Sequence, residues 1–347
     1  MAQQAVFRFP TRTAFSDITT NQEPIPTPSS HEVLIKVRAV ALNSRDCQIA
    51  TSNYPFPIKD NVIPGSDAAG DIVQVGDAVH DFAKGDRVVT CFDQNRSYGP
   101  AKHVVAYQNG GGLDGVMAQY IVRPASAVVK IPSDAKQTYS ELASLVCTGV
   151  TAWNSLYGNN QLIAGQSVLI QGTGGTSMTA LVLAKAAGAT TIVTSSSDEK
   201  LQVIKEKFNP DYCINYTKTP DWASEAVRLT GGKGVDHIIE IGGIGTIEQS
   251  ISAIARGGVI SIVGYLAEYD PAKVPNVLML ALGKEAVLRG IQIGPRCMLE
   301  DLVTLVSRRG LRFQIDREFG FTREDIVTAY DALASGKHVG KICILVD

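Results

Sequence analysis

The sequence lacks the features typical of membrane, secreted and nucleic-acid-binding chains. No apolar run approaches the roughly 18 residues that a membrane helix needs, and the first residues hold no apolar stretch typical of a secretory signal. The six cysteines stand singly, which favours reduced thiols over a disulfide framework. Lys and Arg number 32 against 34 Asp and Glu, so no basic excess indicates nucleic acid. We therefore expect a cytoplasmic protein that acts on a small molecule, with neither a nucleic-acid nor a membrane partner.

The length of 347 residues suits two domains, and 45% hydrophobic with 19% charged residues suits packed cores. Before about residue 128, short β-type runs such as 33–40 and 69–75 alternate with Gly and Pro, which predicts a mostly β domain of hairpins or a partial barrel. Residues 93–115 form a long polar loop, a length typical of functional or mobile loops. The five histidines, His103 among them, show no spacing typical of a proton relay.

Beyond about residue 140, apolar strands and helical stretches alternate along the chain. Strands are predicted at 167–171, 191–194, 212–215, 235–240 and 259–263. This order indicates an α/β fold with a doubly wound parallel sheet and right-handed crossovers. A further strand is predicted at 286–293, and the tail 341–346 forms a strand that could rejoin the first domain. We expect domains of 1–128 with 310–347, and of 129–309.

A glycine-rich turn, Gly172-Thr-Gly174-Gly175-Thr176-Ser177, directly follows the first of these strands and opens a helix. Gly172 permits a tight turn, and Gly174 lets the backbone approach a pyrophosphate that the N–H groups of the helix then face. Ser177 takes the third fingerprint position, where Gly or Ala is usual. The pattern predicts a Rossmann dinucleotide site; the alternative is an ordinary tight turn.

The end of the second strand indicates which dinucleotide is bound. It reads Ser195-Ser196-Ser197, without the Asp or Glu that holds the ribose 2′-hydroxyl of NAD. Serine hydroxyls and Lys200 can donate to a 2′-phosphate, so we predict NADPH. Alternatively, Ser196 and Glu199 form a capping box, with Asp198 helping to cap the helix.

Several motifs together resemble the medium-chain dehydrogenase/reductase superfamily over essentially the whole chain. They are Gly65-Ser-Asp-Ala-Ala-Gly70, Lys84-Gly-Asp-Arg-Val88, Thr148-Gly-Val-Thr-Ala-Trp153, Gln171-Gly-Thr-Gly-Gly175, Ile214-Asn-Tyr216 and Gly234-Val-Asp236. The resemblance is to the zinc-independent branch of quinone oxidoreductase-like and enoyl reductase-like enzymes. It implies a Rossmann domain plus a mostly β, GroES-like catalytic domain.

The resemblance also raises the question of a metal. Asn43 and Ser66 stand where zinc members carry Cys and His, Cys147 falls near the third ligand position, and Asp67 replaces the Glu that follows the His. One thiol and one carboxylate are too few for a catalytic zinc, and the loop 93–115 has no Cys for a structural one. We predict no bound metal and expect Cys147 to be a packed thiol.

Conjugate reduction needs no Lewis acid, because hydrogen-bond donors can hold the enolate that forms when hydride adds to the β-carbon. Asn43, Asp46 and Tyr54 resemble the N-x-x-D…Y spacing of enoyl thioester reductases. That likeness makes Tyr54 the candidate proton donor and places Asn43 at the nicotinamide ribose. Alternatively, Tyr54 packs in a Pro-rich loop, and Asp46 pairs with Arg45 or Arg87.

By the same resemblance, further residues contact the dinucleotide. Thr151 would approach the nicotinamide, Tyr216 would stack near the adenosine phosphate, and Gly242, Gly264 and Tyr265 follow later strands at the sheet's switch point. With these, the predicted cofactor contacts are Asn43, Thr151, Gly172, Gly174, Gly175, Thr176, Ser195, Ser196, Ser197, Lys200, Tyr216, Gly242, Gly264 and Tyr265.

The sequence thus predicts a zinc-independent NADPH-dependent reductase of an activated alkene (an enone or enoyl thioester) or a quinone. Two alternatives stay open: metal-free carbonyl or alcohol redox chemistry, and a cofactor-binding protein that acts only with a partner such as a synthase. The apolar segment 277–282 and the strand 286–293 would leave an apolar sheet edge. In the resembling family the equivalent strands pair across a two-fold axis, so we expect a homodimer.

Overall fold

The computed structural model describes residues 2–102 and 105–347, so His103 and one neighbouring residue of the loop 93–115 lie outside it. The chain divides into two compact units: a first unit of residues 1–150 with 293–347, and a second unit of residues 151–292. No helix in the described part of the chain has both the length and the apolar character to cross a membrane.

Beyond about residue 160, strands and helices alternate as the sequence pattern indicates, and the earlier part of the chain is mostly strands. The strands are β1 Gln3–Arg8, β2 Thr19–Pro24, β3 Glu32–Ala41, β4 Asp67–Val75, β5 Arg87–Thr90, β6 Tyr120–Pro124, β7 Val128–Lys130, β8 Ser167–Gln171, β9 Thr190–Ser195, β10 Tyr212–Asn215, β11 Val235–Glu240, β12 Ile254–Ile262, β13 Val287–Gly290, β14 Ile315–Phe319 and β15 Lys341–Leu345. The α-helices are α1 Ser44–Ala50, α2 Tyr139–Ala143, α3 Val150–Tyr157, α4 Gly175–Ala186, α5 Asp198–Phe208, α6 Trp222–Leu229, α7 Ile247–Ala253, α8 Val277–Lys284, α9 Arg296–Arg309 and α10 Arg323–Ala334.

The first unit is built on a mostly antiparallel sheet in the order β14-β15-β3-β4-β5-β7, with β6 also paired to β3. The tail strand β15 pairs with β3 so that Cys343 faces Ala41, which confirms that the tail rejoins the first domain. This pairing brings the start of β15 beside the end of β3. Phe7, Phe9 and Tyr330 are among the buried side chains of this unit's core.

The second unit is a six-stranded parallel sheet in the order β10-β9-β8-β11-β12-β13. Numbered within the unit, this is the 3-2-1-4-5-6 order of the doubly wound dinucleotide fold, and it confirms the predicted α/β class. The strand order reverses between β8 and β11. Ligands of such sheets bind outside the carboxyl ends of the strands at this point.

The unit boundaries lie elsewhere than the predicted residues 128 and 310. Residues 129–150 and 293–309 group with the first unit. The Gln137 side-chain amide donates to the carbonyl oxygens of Val306 and Leu311, and Glu141 accepts from Arg312 and the Phe313 N–H. Alternation of helices and strands cannot reveal these partners, which are more than 160 residues apart in the chain.

The last strand of the parallel sheet is shorter than predicted. β13 covers Val287–Gly290 rather than 286–293. Ile293 has a φ of +56°, in the left-handed region, so an extended strand cannot run through it.

Candidate functional site

The glycine-rich turn leaves an open, uncapped helix N-terminus in the second unit. Gly172 has a φ of +73°, a backbone conformation that residues other than glycine rarely adopt. Among the described residues, no atom would lie within 4 Å of a Cβ at Gly174, and no side chain caps α4 or adds negative charge to its first turn. The neighbouring helices α5 and α6 are capped by Ser197 and Asp221. The N–H groups at the start of α4 are thus open to an anion, which fits a dinucleotide pyrophosphate.

Ser177 explains how the turn tolerates a serine at its third fingerprint position. Its side chain is buried, and its hydroxyl donates to the Gln171 carbonyl oxygen at 2.7 Å. The side chain therefore ties the first turn of α4 to the end of β8, which is the close helix–strand packing that this position requires.

The serine run after β9 caps α5 one residue later than the capping-box alternative proposed. Ser197 is the N-cap residue, and its hydroxyl accepts from the Lys200 N–H at 3.2 Å. Glu199 accepts from the Ser197 hydroxyl instead of closing a box with Ser196, which is exposed. The alternative prediction of a capping box between Ser196 and Glu199 is therefore wrong.

Asp198 pairs with a lysine that the sequence analysis missed. Its carboxylate accepts from the Lys218 ammonium and, at 2.7 Å, from the Asn215 amide. The hydrogen bond from Lys218 lowers the pKa of Asp198. Asp198 therefore does not cap α5, and Lys218 adds a cation near the serine run.

The remaining predicted dinucleotide contacts differ in exposure. Thr151 is buried on α3, whereas Tyr216 and Tyr265 are exposed. The Tyr216 N–H donates to the Ser195 carbonyl oxygen at 3.0 Å, which holds Tyr216 beside the serine run. A Cβ at Gly264 would lie 2.6 Å from the Ile241 carbonyl oxygen, so only glycine fits there.

A buried carboxylate organises the switch point. We call it the Glu240 cluster: Gln171, Glu240, Gly242, Gly243, Thr246 and Ser250. One oxygen of Glu240 accepts from the N–H groups of Gly242 (2.8 Å) and Gly243 (2.9 Å) and from the Thr246 hydroxyl (2.5 Å). The other accepts from the Gln171 amide (2.8 Å) and the Ser250 hydroxyl.

This cluster links the two strand ends that flank the switch point. Gln171 ends β8 and Glu240 ends β11. The Gln171 side-chain oxygen also accepts from the Ile241 N–H at 3.0 Å. The glycine-rich turn and the turn that contains Gly242 are therefore held by one set of hydrogen bonds. Sequence reasoning found Gly242 but missed Gln171 and Glu240, whose signal is their place at the ends of adjacent strands.

A second buried cluster lies in the first unit and brings together the positions examined for zinc. We call it the Asp67 cluster: Asn43, Ser66, Asp67 and Lys341. The Lys341 ammonium donates to Asn43 Oδ1 at 2.7 Å, and Asn43 Nδ2 donates to Ser66 Oγ at 3.3 Å. Ser66 Oγ donates to Asp67 Oδ1 at 2.5 Å. All four residues are buried.

Cys147 completes the surroundings of Asp67 through its backbone. It lies in a widened helical turn over Leu145–Gly149, and its N–H donates to Asp67 Oδ2 at 3.1 Å. Burial raises the pKa of Asp67, and Lys341 opposes that rise. Burial, reinforced by Asp67, also raises the pKa of the Cys147 thiol.

The Asp67 cluster does not fit a zinc ion. Within residues 2–102 and 105–347, no group of three or more His, Cys, Asp and Glu side chains could hold a metal ion. Asn43 and Ser66 are neutral, and their polar atoms are engaged by Lys341 and Asp67. An ammonium that donates into the cluster is the opposite of a metal ligand.

Tyr54 lies on a buried guanidinium close in sequence to Asn43. The Arg45 guanidinium carbon is 5.3 Å from the centre of the Tyr54 ring and 4.9 Å from that of Phe92. Arg45 donates to the Asn109 carbonyl oxygen at 3.0 Å, and a guanidinium nitrogen lies 3.7 Å from Asp46. Tyr54 is only partly exposed and therefore also packs, as the alternative held.

Asp46 pairs with Arg45, which decides between its two expected partners. Arg87 instead donates to the carbonyl oxygens of Ala135 and Gln137. Asp46 also accepts from the Asn43 N–H at 2.8 Å, at the start of α1. Burial raises the pKa of Asp46 to about 6, although Arg45 opposes that shift.

These features define a class of protein. A doubly wound parallel sheet with a phosphate-binding turn, carried on one chain with a mostly β unit, is the architecture of a dinucleotide-dependent oxidoreductase. Residues 29–133 match the alcohol dehydrogenase GroES-like domain, and residues 175–308 match the zinc-binding dehydrogenase domain. The chain belongs to the medium-chain dehydrogenase/reductase superfamily, whose members use NAD or NADP.

Similar proteins are described by names that refer to different activities. A zinc-type alcohol dehydrogenase-like protein of Schizosaccharomyces pombe is 41% identical over 320 residues, which is 91% of each chain. Prostaglandin reductase-3 of Mus musculus is 26% identical over 341 residues, covering 92% of this chain and 83% of its own. A crystal structure from Sinorhizobium meliloti 1021, described as an alcohol dehydrogenase, has a TM-score of 0.89 at 34% identity and covers 99% and 100% of the two chains.

Proposed function

We propose that this oxidoreductase is a zinc-independent, NADPH-dependent reductase of an activated C=C bond, in an enone or enoyl thioester, or of a quinone. The observation that carries the proposal is the Asp67 cluster. Where zinc ligands would be needed, a lysine, an amide and a hydroxyl are hydrogen-bonded to one another. Without a Lewis acid, the substrates best suited are those whose developing enolate can be held by hydrogen bonds alone.

The second unit offers the residues that would hold the cofactor. The pyrophosphate would lie at the N–H groups of Gly174, Gly175 and Thr176, where α4 is uncapped. The 2′-phosphate would be held by Ser195, Ser196, Ser197 and Lys200, at the helix start where Lys218 pairs with Asp198. A bound nicotinamide dinucleotide would supply the hydride.

The first unit offers one candidate proton donor. A phenol keeps its proton at neutral pH, so Tyr54 can protonate the α-carbon of an enolate. The packing of Tyr54 against Arg45 and Phe56 supports a fixed ring position. For Asn43 we propose a role in placing the nicotinamide ribose, although its amide is also used within the Asp67 cluster.

A second candidate function is metal-free carbonyl or alcohol redox chemistry. The Schizosaccharomyces pombe protein, which is described as zinc-type alcohol dehydrogenase-like, and the Sinorhizobium meliloti structure, which is described as that of an alcohol dehydrogenase, favour alcohol or carbonyl chemistry but not its metal independence. The prostaglandin reductase favours the first candidate. The two differ in their product from an enone: conjugate reduction gives a saturated ketone, and carbonyl reduction gives an allylic alcohol.

The test is turnover of a panel of enones, enoyl thioesters and quinones with NADPH and with NADH. We expect a saturated ketone from the best enone, tighter binding of NADPH than of NADH, and activity that survives a chelator. Elemental analysis should find no stoichiometric zinc. An allylic alcohol as the product supports the second candidate, one zinc per chain contradicts metal independence, and no turnover at all supports a protein that requires a partner.

We also propose that the protein is a cytoplasmic homodimer. All six cysteines are free thiols, as is usual in a reducing compartment. Strand β13 ends the described order of the parallel sheet, and the adjacent helix α8 exposes Leu278, Met279 and Leu282. Antiparallel pairing of β13 with its copy would cover this edge. A strictly monomeric mass by light scattering at micromolar concentration would contradict the dimer.

A further inference from the structure

Gln171 joins the phosphate-binding turn to the neighbouring strand of the sheet. It ends β8 directly before Gly172, and its backbone carbonyl oxygen accepts from the Ser177 hydroxyl in the first turn of α4 at 2.7 Å. Its side-chain oxygen accepts from the N–H groups of Ile241 at 3.0 Å and Gly242 at 3.2 Å, in the turn after β11. One residue therefore holds the phosphate-binding turn with its backbone and the turn after β11 with its side chain.

Glu240 fixes the orientation of the Gln171 side chain. It is fully buried, and both of its carboxylate oxygens accept from N–H groups, which suits the ionised form. An ionised carboxylate can only accept, so Gln171 must direct its NH₂ group to Glu240 and its oxygen to the turn after β11. In the described part of the chain, every hydrogen-bond partner of this carboxylate is neutral. A buried charge is costly without such donors, so the carboxylate favours the one arrangement of the two turns that supplies them.

A third turn is attached to the same place through its backbone. After β12, the Leu266 N–H donates to the Ile241 carbonyl oxygen at 3.1 Å. The Ala267 N–H donates to the Gly242 carbonyl oxygen at the same distance. The phosphate-binding turn, the turn after β11 and the turn after β12 are therefore held relative to one another by hydrogen bonds. All three carry residues for which the sequence predicts a dinucleotide contact.

These turns would serve the two halves of a dinucleotide. In a doubly wound sheet the pyrophosphate lies at the first turn, and the dinucleotide crosses the point where the strand order reverses, here between β8 and β11. The adenosine half would then use the turns after β8 and β9, and the nicotinamide half the turns after β11 and β12. We propose that Gln171 and Glu240 are positioning residues that fix the spacing of the two half-sites, so that a whole dinucleotide binds to turns already in place. Such a role requires neither the proposed substrate nor a preference for NADPH.

The first test compares a whole dinucleotide with its adenosine fragment by titration calorimetry. Gln171→Met removes the side-chain hydrogen bonds but keeps the backbone carbonyl that anchors α4, and the Gly172 N–H still donates to the Thr194 carbonyl oxygen. We expect NADPH affinity to fall at least about tenfold, the scale of ordinary coupling between two sites, while affinity for 2′,5′-ADP stays within about twofold. Gln161→Met, at an exposed glutamine of the same unit, is the control. Equal losses for the dinucleotide and the fragment, or no loss for NADPH, would overturn the proposal.

The second test exchanges the two side chains and decides the case if Gln171→Met does not fold. Gln171→Glu places two carboxylates together, and Glu240→Gln turns two NH₂ groups toward each other, so each single variant loses the pairing. The double variant restores one carboxylate that accepts and one amide that donates, with their positions exchanged. We expect each single variant to bind NADPH at least about tenfold more weakly, and the double variant to recover to within about threefold of the wild type. A double variant that binds no better than the weaker single variant would contradict the positioning role.

A merely structural pair would give a different result. It would lower the folded fraction, and with it the number of binding sites per chain, without changing the ratio of NADPH to 2′,5′-ADP affinity at the sites that remain. Failure of the proposed function is also distinct. If the wild type binds NADH more tightly than NADPH, the same comparison is made with NADH and ADP, whether or not an enone is reduced. A wild type that binds neither dinucleotide would rule out the positioning role.

Discussion

The Glu240 cluster and the Asp67 cluster each bury a carboxylate completely, yet they compensate it in different ways. Glu240 accepts five hydrogen bonds, four of them from residues within ten positions of it in the chain. Asp67 accepts from Ser66 and from the Cys147 N–H, and its cation is Lys341. The Glu240 carboxylate is held mainly by hydrogen-bond donors of one turn, whereas the Asp67 carboxylate has a cation from a distant part of the chain.

The difference shows what each cluster depends on. The Glu240 cluster needs a tight turn after β11, where Gly243 has a φ of +75°. The Asp67 cluster needs β15 beside β3 and β3 beside β4, because its members come from the ends of those strands. The Glu240 cluster therefore depends on one local turn of the second unit, and the Asp67 cluster depends on strand pairing within the first unit.

The largest effect is expected when the carboxylate of the Glu240 cluster is removed. Glu240→Ala removes the acceptor of two backbone N–H groups, an amide and two hydroxyls at once. We expect the free energy of unfolding to fall by about 3–5 kcal/mol, since each buried donor left unpaired costs about 1–3 kcal/mol. Urea denaturation measures the loss. The exposed neighbour Glu248→Ala should change it by about 0.5 kcal/mol or less. A loss no larger than that of the control would show that the turn forms without its carboxylate.

The next effect concerns turnover in the first unit. Tyr54→Phe keeps the ring on Arg45 but removes the hydroxyl that is the proposed proton donor. General acids typically contribute about 10²–10⁴-fold, and because water can partly replace the phenol we expect about 10²-fold slower turnover on the best enone. NADPH affinity should be nearly unchanged. The exposed Tyr98→Phe is the matched control.

Tyr54 returns to a packing role if the variant turns over within twofold of the wild type with unchanged stereochemistry at the α-carbon. The proton would then come from solvent. Asn43→Ala is expected to differ from both outcomes. It should impair cofactor binding and rate together, and it should also destabilise the protein because Lys341 and Ser66 lose their partner.

The same contrast explains how much the sequence could predict. Five of the six parallel strands of the second unit were located because each is a short apolar run, and the phosphate turn because Gly172 and Gly174 follow such a run directly. These signals are local. The cap of α5 was missed by a single residue, because Ser196 and Ser197 are chemically equivalent in the sequence and only the backbone distinguishes them.

The Asp67 cluster could be predicted only in part. The resemblance pointed to Asn43, Ser66 and Asp67 and to what they lack. The contact of Lys341 with Asn43 could not be predicted, because the two residues are 298 positions apart in the chain. In the sequence, a buried lysine of the final strand also looks the same as an exposed one. The predicted unit boundaries differ from those of the structure for the same reason, because the sheet on which a helix packs is decided by tertiary contacts.

A smaller effect is expected on NADPH affinity, at the proposed 2′-phosphate site of the second unit. Lys200→Ala removes a cation from the first turn of α5, where Ser197 already caps the helix. We expect NADPH affinity to fall about 10- to 100-fold, because charge-assisted hydrogen bonds contribute about 1.5–3 kcal/mol, with NADH affinity little changed. Fluorescence titration measures both. Lys207→Ala, near the other end of the same helix, is the control. Equal losses for NADPH and NADH would argue against a 2′-phosphate contact.

The smallest effect is a pH dependence from Asp46, the carboxylate next to the Asp67 cluster that Arg45 balances only partly. Its pKa of about 6 in the folded protein is above the ordinary value because of burial. A raised pKa means that the folded state binds the proton more tightly, so this contribution to stability is full below about pH 4 and is lost as the pH rises through 6. Between pH 5 and pH 7 the free energy of unfolding of the wild type should fall by about 1 kcal/mol more than that of Asp46→Asn.

Urea unfolding at pH 5, 6 and 7 measures this difference. His237, whose pKa is lowered by burial, titrates in both proteins, so its contribution cancels. The exposed Asp60→Asn should follow the wild-type profile. Parallel profiles for wild type and Asp46→Asn would mean that Arg45 compensates Asp46 fully, and Asp46 and Asp67 would then both be balanced by cations.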